Sequence, residues 1–335
     1  GKASSPFYFS ETNSHESSMT WQVLRSEFDE MLLENARGKG VEVRLGTIAR
    51  EVLFEGNRAV GVRVKSADGK SQDVSAQVVV DATGQSALIS RKLKLHETDT
   101  RLRNASIYTH FQGAVRDKGI DEGATLILHT KNKDSWFWYI PLPYDRVSVG
   151  VVASIDHLLQ SRRKSNGRLD HQSIFDEELD ICPSLKPRLQ HAIQLFPVKT
   201  AKDFSYRVGR MAGDGWVLVG DALGFLDPVY STGLFLALKS GEMVADAIHQ
   251  AFERSNFSAV QLGEFSAEFV KGMDVFRQMV YAFYTRQFSF AEFLKQYPEY
   301  QQGIIDVLSG NVFYKDVNAI FSAMRSMCPL LDDAG

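Results

Sequence analysis

The chain has 335 residues, 44% of them hydrophobic and 24% charged, enough for a large core and for roughly two or three domains. Its 38 Lys and Arg against 41 Asp and Glu leave a net charge of −3, which argues against a nucleic-acid partner and against an electrostatic membrane anchor. Two cysteines without a CxxC pair, and eight histidines that form no close-spaced set, argue against a disulfide framework or a metal site and leave a reducing cytoplasm as the expected location.

In chain order, the first expected element is a helix from about Thr20 to Ala36. Its Val23, Leu24, Phe28, Met31, Leu32 and Ala36 fall on one stripe, and Gly38 and Gly40 stop it. Val41, Val43 and Leu45 alternate with polar residues and read as a strand. VLFEG, AVGVRVKS, a turn at Asp68-Gly69 and SAQVVVDATG follow as a hairpin-rich stretch. The run Val78 to Val80 suits a strand buried on both faces. From about Leu95 to Thr200 the pattern is antiparallel β, in SIYTHFQGAV, ATLILHT, SWFWYIPLP and RVSVGVVAS. The basic run Arg162 to Lys164 reads as a solvated loop. A short strand, Trp216 to Val219, then runs into GDALGFLDP and a helix from about Thr232 to His249. The rest is helical and aromatic-rich. No apolar run reaches the roughly 18 residues of a membrane span. No signal peptide is recognisable, although the chain begins at Gly1 rather than Met.

Chemistry concentrates in VLVGDALGFLDPVYSTGLFLAL, from Val217 to Leu238. A buried strand ends at Gly220-Asp221. Glycine there permits close backbone approach to a ligand, and a carboxylate accepts hydrogen bonds from sugar hydroxyls. Pro228 breaks the chain, and Ser231-Thr232-Gly233 open the next helix. The first amides of that helix lack internal partners and form a ready anion site. In SWFWYIP, alternation places Trp136 and Trp138 on one strand face, a wide and rigid apolar wall.

The string GDAxxxxDPxxSxG resembles the second FAD motif of the flavoproteins related to p-hydroxybenzoate hydroxylase. That resemblance implies a cofactor role for Gly220, Asp221, Asp227, Pro228 and Gly233. Asp81-Ala82-Thr83-Gly84 resembles the strand-end ATG motif of the same superfamily, where the chain passes close to the dinucleotide. Gln22 and Arg25 resemble the pair that a helix carries toward the flavin. Trp136, Trp138, Ile140 and Pro141 match WxWxIP, the hallmark of the flavin-dependent halogenases, and this is the family the chain resembles over about Ser10 to Ser309.

The resemblance implies an α/β fold of the FAD-binding, glutathione-reductase type: a mostly parallel sheet with a β-meander, an antiparallel substrate domain and a helical C-terminal region. Residues 1–95 and 201–250 would be the FAD part, 96–200 the antiparallel cover, and 251–335 a helical lid. No GxGxxG occurs, so the strand, turn and helix that cradle the ADP pyrophosphate are expected to lie outside this chain. The implied activity is halogenation of an electron-rich aromatic with chloride or bromide, using FAD supplied reduced by a separate flavin reductase. Halide would lie at the amides of Thr232 and Gly233 beside Ser231, and Lys2 is the lysine nearest the expected catalytic position. Tryptophan halogenases carry a glutamate before the serine. Tyr230 stands there instead, which favours phenolic, pyrrolic or carrier-tethered substrates over free tryptophan. The competing expectations are an FAD-dependent aromatic hydroxylase using NAD(P)H directly, a reductase of prenyl chains, and a degenerate flavoprotein fragment that binds a partner without FAD.

Overall fold

A computed structural model describes residues 8–12, 16–160, 170–202 and 204–331. Lys2 and the basic run Arg162 to Lys164 lie outside the described residues. The chain divides into two compact units, one holding Met19–Arg44 and Asp99–Phe204, the other Leu45–Thr98 and Ser205–Gly335.

The first unit is an antiparallel sheet in the order Ile193–Gln194, Asn104–Gln112, Arg146–Ser154, Ser135–Leu142 and Leu126–His129. Lys199–Lys202 also pairs with Asn104–Gln112. Because side chains alternate across a strand, register decides which residues share a face. Ile107 pairs with Val151 and Phe137 with Val151, so odd-numbered positions line up across three strands. Ile107, Phe111, Phe137, Tyr139, Val147, Val149 and Val151 thus form one apolar face, buried against Leu158, Ile174, Phe175, Cys182 and Leu185. Phe175 sits edge-on to Phe137 at 5.7 Å and stacks on Phe111 at 6.3 Å. It is carried by a helix, His171–Asp180, that the β-rich reading of this stretch does not anticipate; Asp170 caps it by accepting from the Gln172 amide at 3.1 Å.

The helix expected from Thr20 to Ala36 forms over Arg25–Gly38. None of its residues is buried, and Met31 is 56% exposed. An apolar stripe reports that a face suits burial; it does not say what covers it. Val41 to Leu45, expected as a strand, makes no ladder, and pairing begins only at Ile48.

In the second unit, Ile48–Glu55, Arg58–Lys65 and Ser71–Ser75 form the three-stranded meander. Val79–Asp81 then pairs in parallel with Trp216–Leu218, which pairs antiparallel with Ala212–Gly213. This is the one parallel pair among the described residues. The Val219 amide extends the ladder to the Asp81 carbonyl at 3.1 Å, so the two strand ends that carry the cofactor motifs are brought side by side. A 21-residue helix, Gly233–Glu253, follows the second of these ends. Ser266–Tyr284 buries Phe269, Met273, Phe276, Met279 and Val280, the spacing of one helical face. Phe290–Gln296, Gln301–Leu308 and Asn318–Met324 complete the helical C-terminal region. Among the described residues no helix is long and apolar enough to cross a membrane.

Candidate active site

Both units carry candidate residues. In the second, Gly220 ends the Trp216–Leu218 strand region at φ +56, a left-handed backbone that side chains disfavour. A Cβ there would stand 3.3 Å from that of Ala237. The Gly220 amide donates to the Ser240 hydroxyl at 2.9 Å, so the long helix grips the turn from behind. Asp221 follows in the same turn, and its carbonyl accepts from the buried Tyr206 phenol. Burial, reinforced by the Asp221 and Asp81 carboxylates, pushes that phenol's pKa well up, so it stays a donor.

Asp81 is buried, and its carboxylate is spent on its own loop. One oxygen accepts from the Thr83 amide (3.0 Å) and hydroxyl (2.7 Å), the other from the Ile89 amide (2.7 Å). Asp81 and Thr83 therefore shape the turn, while Ala82 and Gly84 leave its backbone bare. Gly84 has φ +61, and a Cβ on it would meet nothing within 4 Å. That open strip beside two strand ends fits a ligand laid against main chain, as the cofactor motifs imply.

The Asp227-to-Gly233 turn is fixed by side chains from within it and from the Ser266–Tyr284 helix. Asp227 is 2% exposed and caps the Pro228–Tyr230 turn, accepting from the Val229 amide at 3.0 Å. The Tyr284 phenol donates to both its oxygens, at 3.2 and 3.0 Å. Tyr230 donates to the Met279 carbonyl at 3.2 Å and meets Phe283 edge-on at 6.2 Å. The Ser266–Tyr284 helix thus fastens the turn at two points. Ser231 takes φ +54, and Thr232 begins the long helix without a side-chain cap. The first-turn amides, from Gly233 onward, have no carbonyl behind them within the helix, and no acidic residue occupies that turn. Such an end favours an anion. Burial raises the Tyr230 pKa strongly, with Asp227 adding to it, so the residue before Ser231 is a neutral phenol.

In the first unit, Trp136, Trp138 and Ile140 lie on the sheet face opposite the apolar core, as alternation requires. Trp136 is almost fully buried, Trp138 half-buried, and their rings are 6.3 Å apart at 58°. Trp138 donates from Nε1 to the Ser148 hydroxyl at 3.1 Å, with Tyr108 at 5.9 Å. Pro141 lies past the last residue paired with Leu126–His129, so its missing N–H costs no bond to that strand. Gln22 donates to the Thr125 hydroxyl at 2.7 Å. Arg25 is paired with Asp29 at 2.8 Å on the exposed helix face.

Residues that the sequence reading did not single out are Ser148, Gly150, Ser240 and Tyr284; each acts through a partner distant in sequence. An open cleft of about 670 Å³ lies at the meander, lined by Glu51, Phe54, Arg63, Lys92, Arg210 and Trp216 among others. It contains none of the motif residues, and Arg63 and Lys92 are already paired with Glu51 at 3.6 and 3.0 Å.

The sequence profile of the tryptophan halogenase family matches residues 2–293. Among curated proteins, the chain is 34% identical over 240 residues to the 1H-pyrrole-2-carbonyl-(peptidyl-carrier protein) brominase of Pseudoalteromonas luteoviolacea, covering 71% of this chain and 57% of that protein. It is 28% identical over 314 residues to the corresponding chlorinase of Pseudomonas fluorescens, covering 92% and 68%. Among solved structures, a flavin-dependent brominase superposes with a TM-score of 0.81 at 30% identity, over 92% of this chain and 76% of that one. The myxobacterial chondrochloren halogenase, described as a variant of the FAD-dependent halogenases, gives 0.72 at 28% identity, over 94% and 74%. The chain therefore spans little more than half of the brominase of Pseudoalteromonas luteoviolacea. By the family profile, by these relatives and by its WxWxIP strand, the chain belongs to the tryptophan halogenase family of flavin-dependent halogenases.

Proposed function

We propose that the protein uses reduced FAD, oxygen and chloride or bromide to halogenate an electron-rich aromatic of pyrrole or phenol type, free or carried on a carrier protein, rather than free tryptophan. One observation carries the reading: a WxWxIP strand whose two indoles lie side by side on the sheet face opposite the Phe137–Phe175 cluster. The relatives named as a carrier-bound pyrrole brominase and chlorinase support the substrate class. So does the neutral, half-buried Tyr230 where tryptophan halogenases carry a glutamate.

Bound reduced FAD supplies the activation of oxygen that oxidises the halide. Gly220 and Asp221, the bare Ala82–Gly84 backbone and the Pro228-to-Gly233 turn would hold it, with Asp81, Thr83 and Asp227 shaping those turns. Gln22 and Arg25 are proposed to help from their own helix region. The Thr232 and Gly233 amides hold the halide, where the helix N-terminus carries roughly half a positive charge. Ser231, in its left-handed conformation, turns the chain into the start of that helix. Trp136 and Trp138, with Ile140 and Pro141 fixing the strand, wall the path of the oxidised halogen and keep bulk water from it. Lys2 is the proposed lysine that captures or orients it. Residues 1–95 with 201–250 would serve the flavin, 96–200 the cover, and 251–335 the substrate entrance. A separate flavin reductase delivers reduced FAD by diffusion, in the cytoplasm.

The test is mass spectrometry of products from the full-length protein with FAD, a flavin reductase, NADH, oxygen and carrier-bound pyrrole, free pyrroles and phenols, with and without bromide. A product heavier by one bromine, absent without bromide, is the expected result. A hydroxylated product formed without halide overturns the proposal.

A further inference from the structure

Trp138 does not stand up from its sheet; its indole lies along it. In the ladder Trp138 pairs with Gly150, and Gly150 pairs with Tyr108. A Cβ built on Gly150 would fall 2.2, 2.5 and 2.6 Å from Cζ2, Cη2 and Cε2 of the Trp138 indole. Carbon atoms in contact sit near 3.5 Å or beyond, so any side chain at 150 would push the six-membered ring off the sheet by roughly 1 Å. Glycine weakens the interior of a strand, and its presence there often marks a close approach. Here the approaching group is the indole itself. The ring is also fixed in its own plane. Nε1 donates to Ser148, the next residue on the same face of the same strand, at 3.1 Å. Tyr108 lies at 5.9 Å and Trp136 at 6.3 Å. The indole therefore has a floor, a hydrogen-bonded edge and two aromatic neighbours.

We propose that Gly150 and Ser148 are positioning residues for the halogenation reaction: Gly150 is the notch in which the Trp138 indole lies, Ser148 fixes its orientation, and together they set the shape of the wall that steers oxidised halogen to the aromatic substrate. This rests on the proposed function for its consequence, but the seating of the ring does not depend on it. Gly150→Ala lifts the ring and opens the wall. Ser148→Ala leaves the notch and frees the ring to turn. Reduced-flavin oxidation does not involve either residue and keeps its rate. What changes is the share of oxidised halogen that reaches the substrate instead of a small halogen-accepting trap added to the solution.

The experiment is a double-mutant cycle on the full-length protein with Gly150→Ala, Trp138→Ala and both together, with Ser148→Ala as a second variant that leaves the strand backbone alone. Two readouts are taken: the near-ultraviolet circular dichroism of the Trp136–Trp138 pair, and the partition of halogen between substrate and trap. Gly150→Ala should alter the circular dichroism and shift the partition toward the trap by at least about tenfold, since a misplacement near 1 Å, even of groups that do not react, costs rate on this scale or more. Alanine at 138 carries no atoms where Cε2, Cζ2 and Cη2 lie, so in that background Gly150→Ala should change neither readout further. Ser148→Ala should shift both in the same direction by less. Equal effects of Gly150→Ala with and without the indole overturn the proposal, as does an unchanged spectrum in the single variant. If no variant nor the parent halogenates any substrate, the functional reading fails, while the spectra still decide whether Gly150 seats the ring.

Discussion

In the antiparallel unit the candidate residues are placed by strand alternation; in the other they are placed by turns. Trp136, Trp138, Ile140, Ser148 and Gly150 share a face because each lies an even number of residues from the next and the strands are in register. Their positions are backed by a core of Phe137, Val149, Val151 and Phe175 on the opposite side. Gly220, Asp227, Ser231 and Gly233 instead occupy a chain that reverses within a few residues, with left-handed backbone at Gly220 and Ser231. Their positions are held by a hydrogen bond donated to the Ser240 hydroxyl and by hydrogen bonds donated by the Tyr284 and Tyr230 phenols. A wall needs area and rigidity, which a sheet provides. A cradle for an anion or a dinucleotide needs bare amides, which only turns and helix starts expose.

Substitutions can break this contrast. Phe175→Ala removes the ring that joins the His171–Asp180 helix to the sheet, and should destabilise the first unit by about 3–5 kcal/mol, measured by denaturant unfolding. If the wall depends on the core behind it, this variant also loses substrate-directed halogenation at temperatures where the second unit remains folded. Gly220→Val places a β-branched residue at φ +56 against Ala237. Strain of about 1–3 kcal/mol is expected, and FAD affinity, followed by flavin absorbance, should fall about tenfold or more. Unaltered affinity would mean that this turn does not meet the cofactor.

The smallest effect is a pH dependence confined to the sheet unit. Glu178, 4% exposed, binds the Ser135 hydroxyl and His157 Nε2, the latter at 2.7 Å. The Glu178 hydrogen bond raises the His157 pKa above its ordinary 6.5, against the opposing pull of burial. A raised histidine pKa means that the folded state binds the proton more tightly. The pair's contribution is therefore complete below pH 6.5 and is lost as the pH rises through the folded-state value. His157 is partly exposed, so His157→Ala should cost about 1 kcal/mol at pH 5.5 and less at pH 8.5, seen as a smaller drop in Tm at the higher pH. An equal drop at both values would show that the ion pair does not form.

Much of this was legible in the sequence because it rests on short periods. The strands from Asn104 to Ser154, and the face on which the tryptophans lie, follow from alternation alone. The Gly220-to-Gly233 string is local and its residue types are chemically constrained. What escaped depends on register or on distant partners. Gly150 gains meaning only once Trp138 is known to lie opposite it. Tyr284 is 57 residues from Asp227, and Ser240 is 20 from Gly220. Val41 to Leu45 alternates like a strand but finds no partner to ladder with. The apolar stripe of Arg25–Gly38 is present without burial, since amphipathicity is a local property and burial is not.

The most direct test of the division of labour is the bromide saturation curve of substrate halogenation, measured for the parent, Trp138→Ala and Tyr284→Phe. Losing the phenol leaves a buried Asp227 carboxylate short of a donor beside the turn that presents the amides proposed to hold the halide. Tyr284→Phe should therefore raise the bromide needed for half-saturation about fivefold or more, with product yield at saturation unchanged. Trp138→Ala should leave the half-saturation point unchanged and lower the saturated yield by about a hundredfold. If both variants move the same parameter, the turn and the wall do not divide the work and the account is wrong.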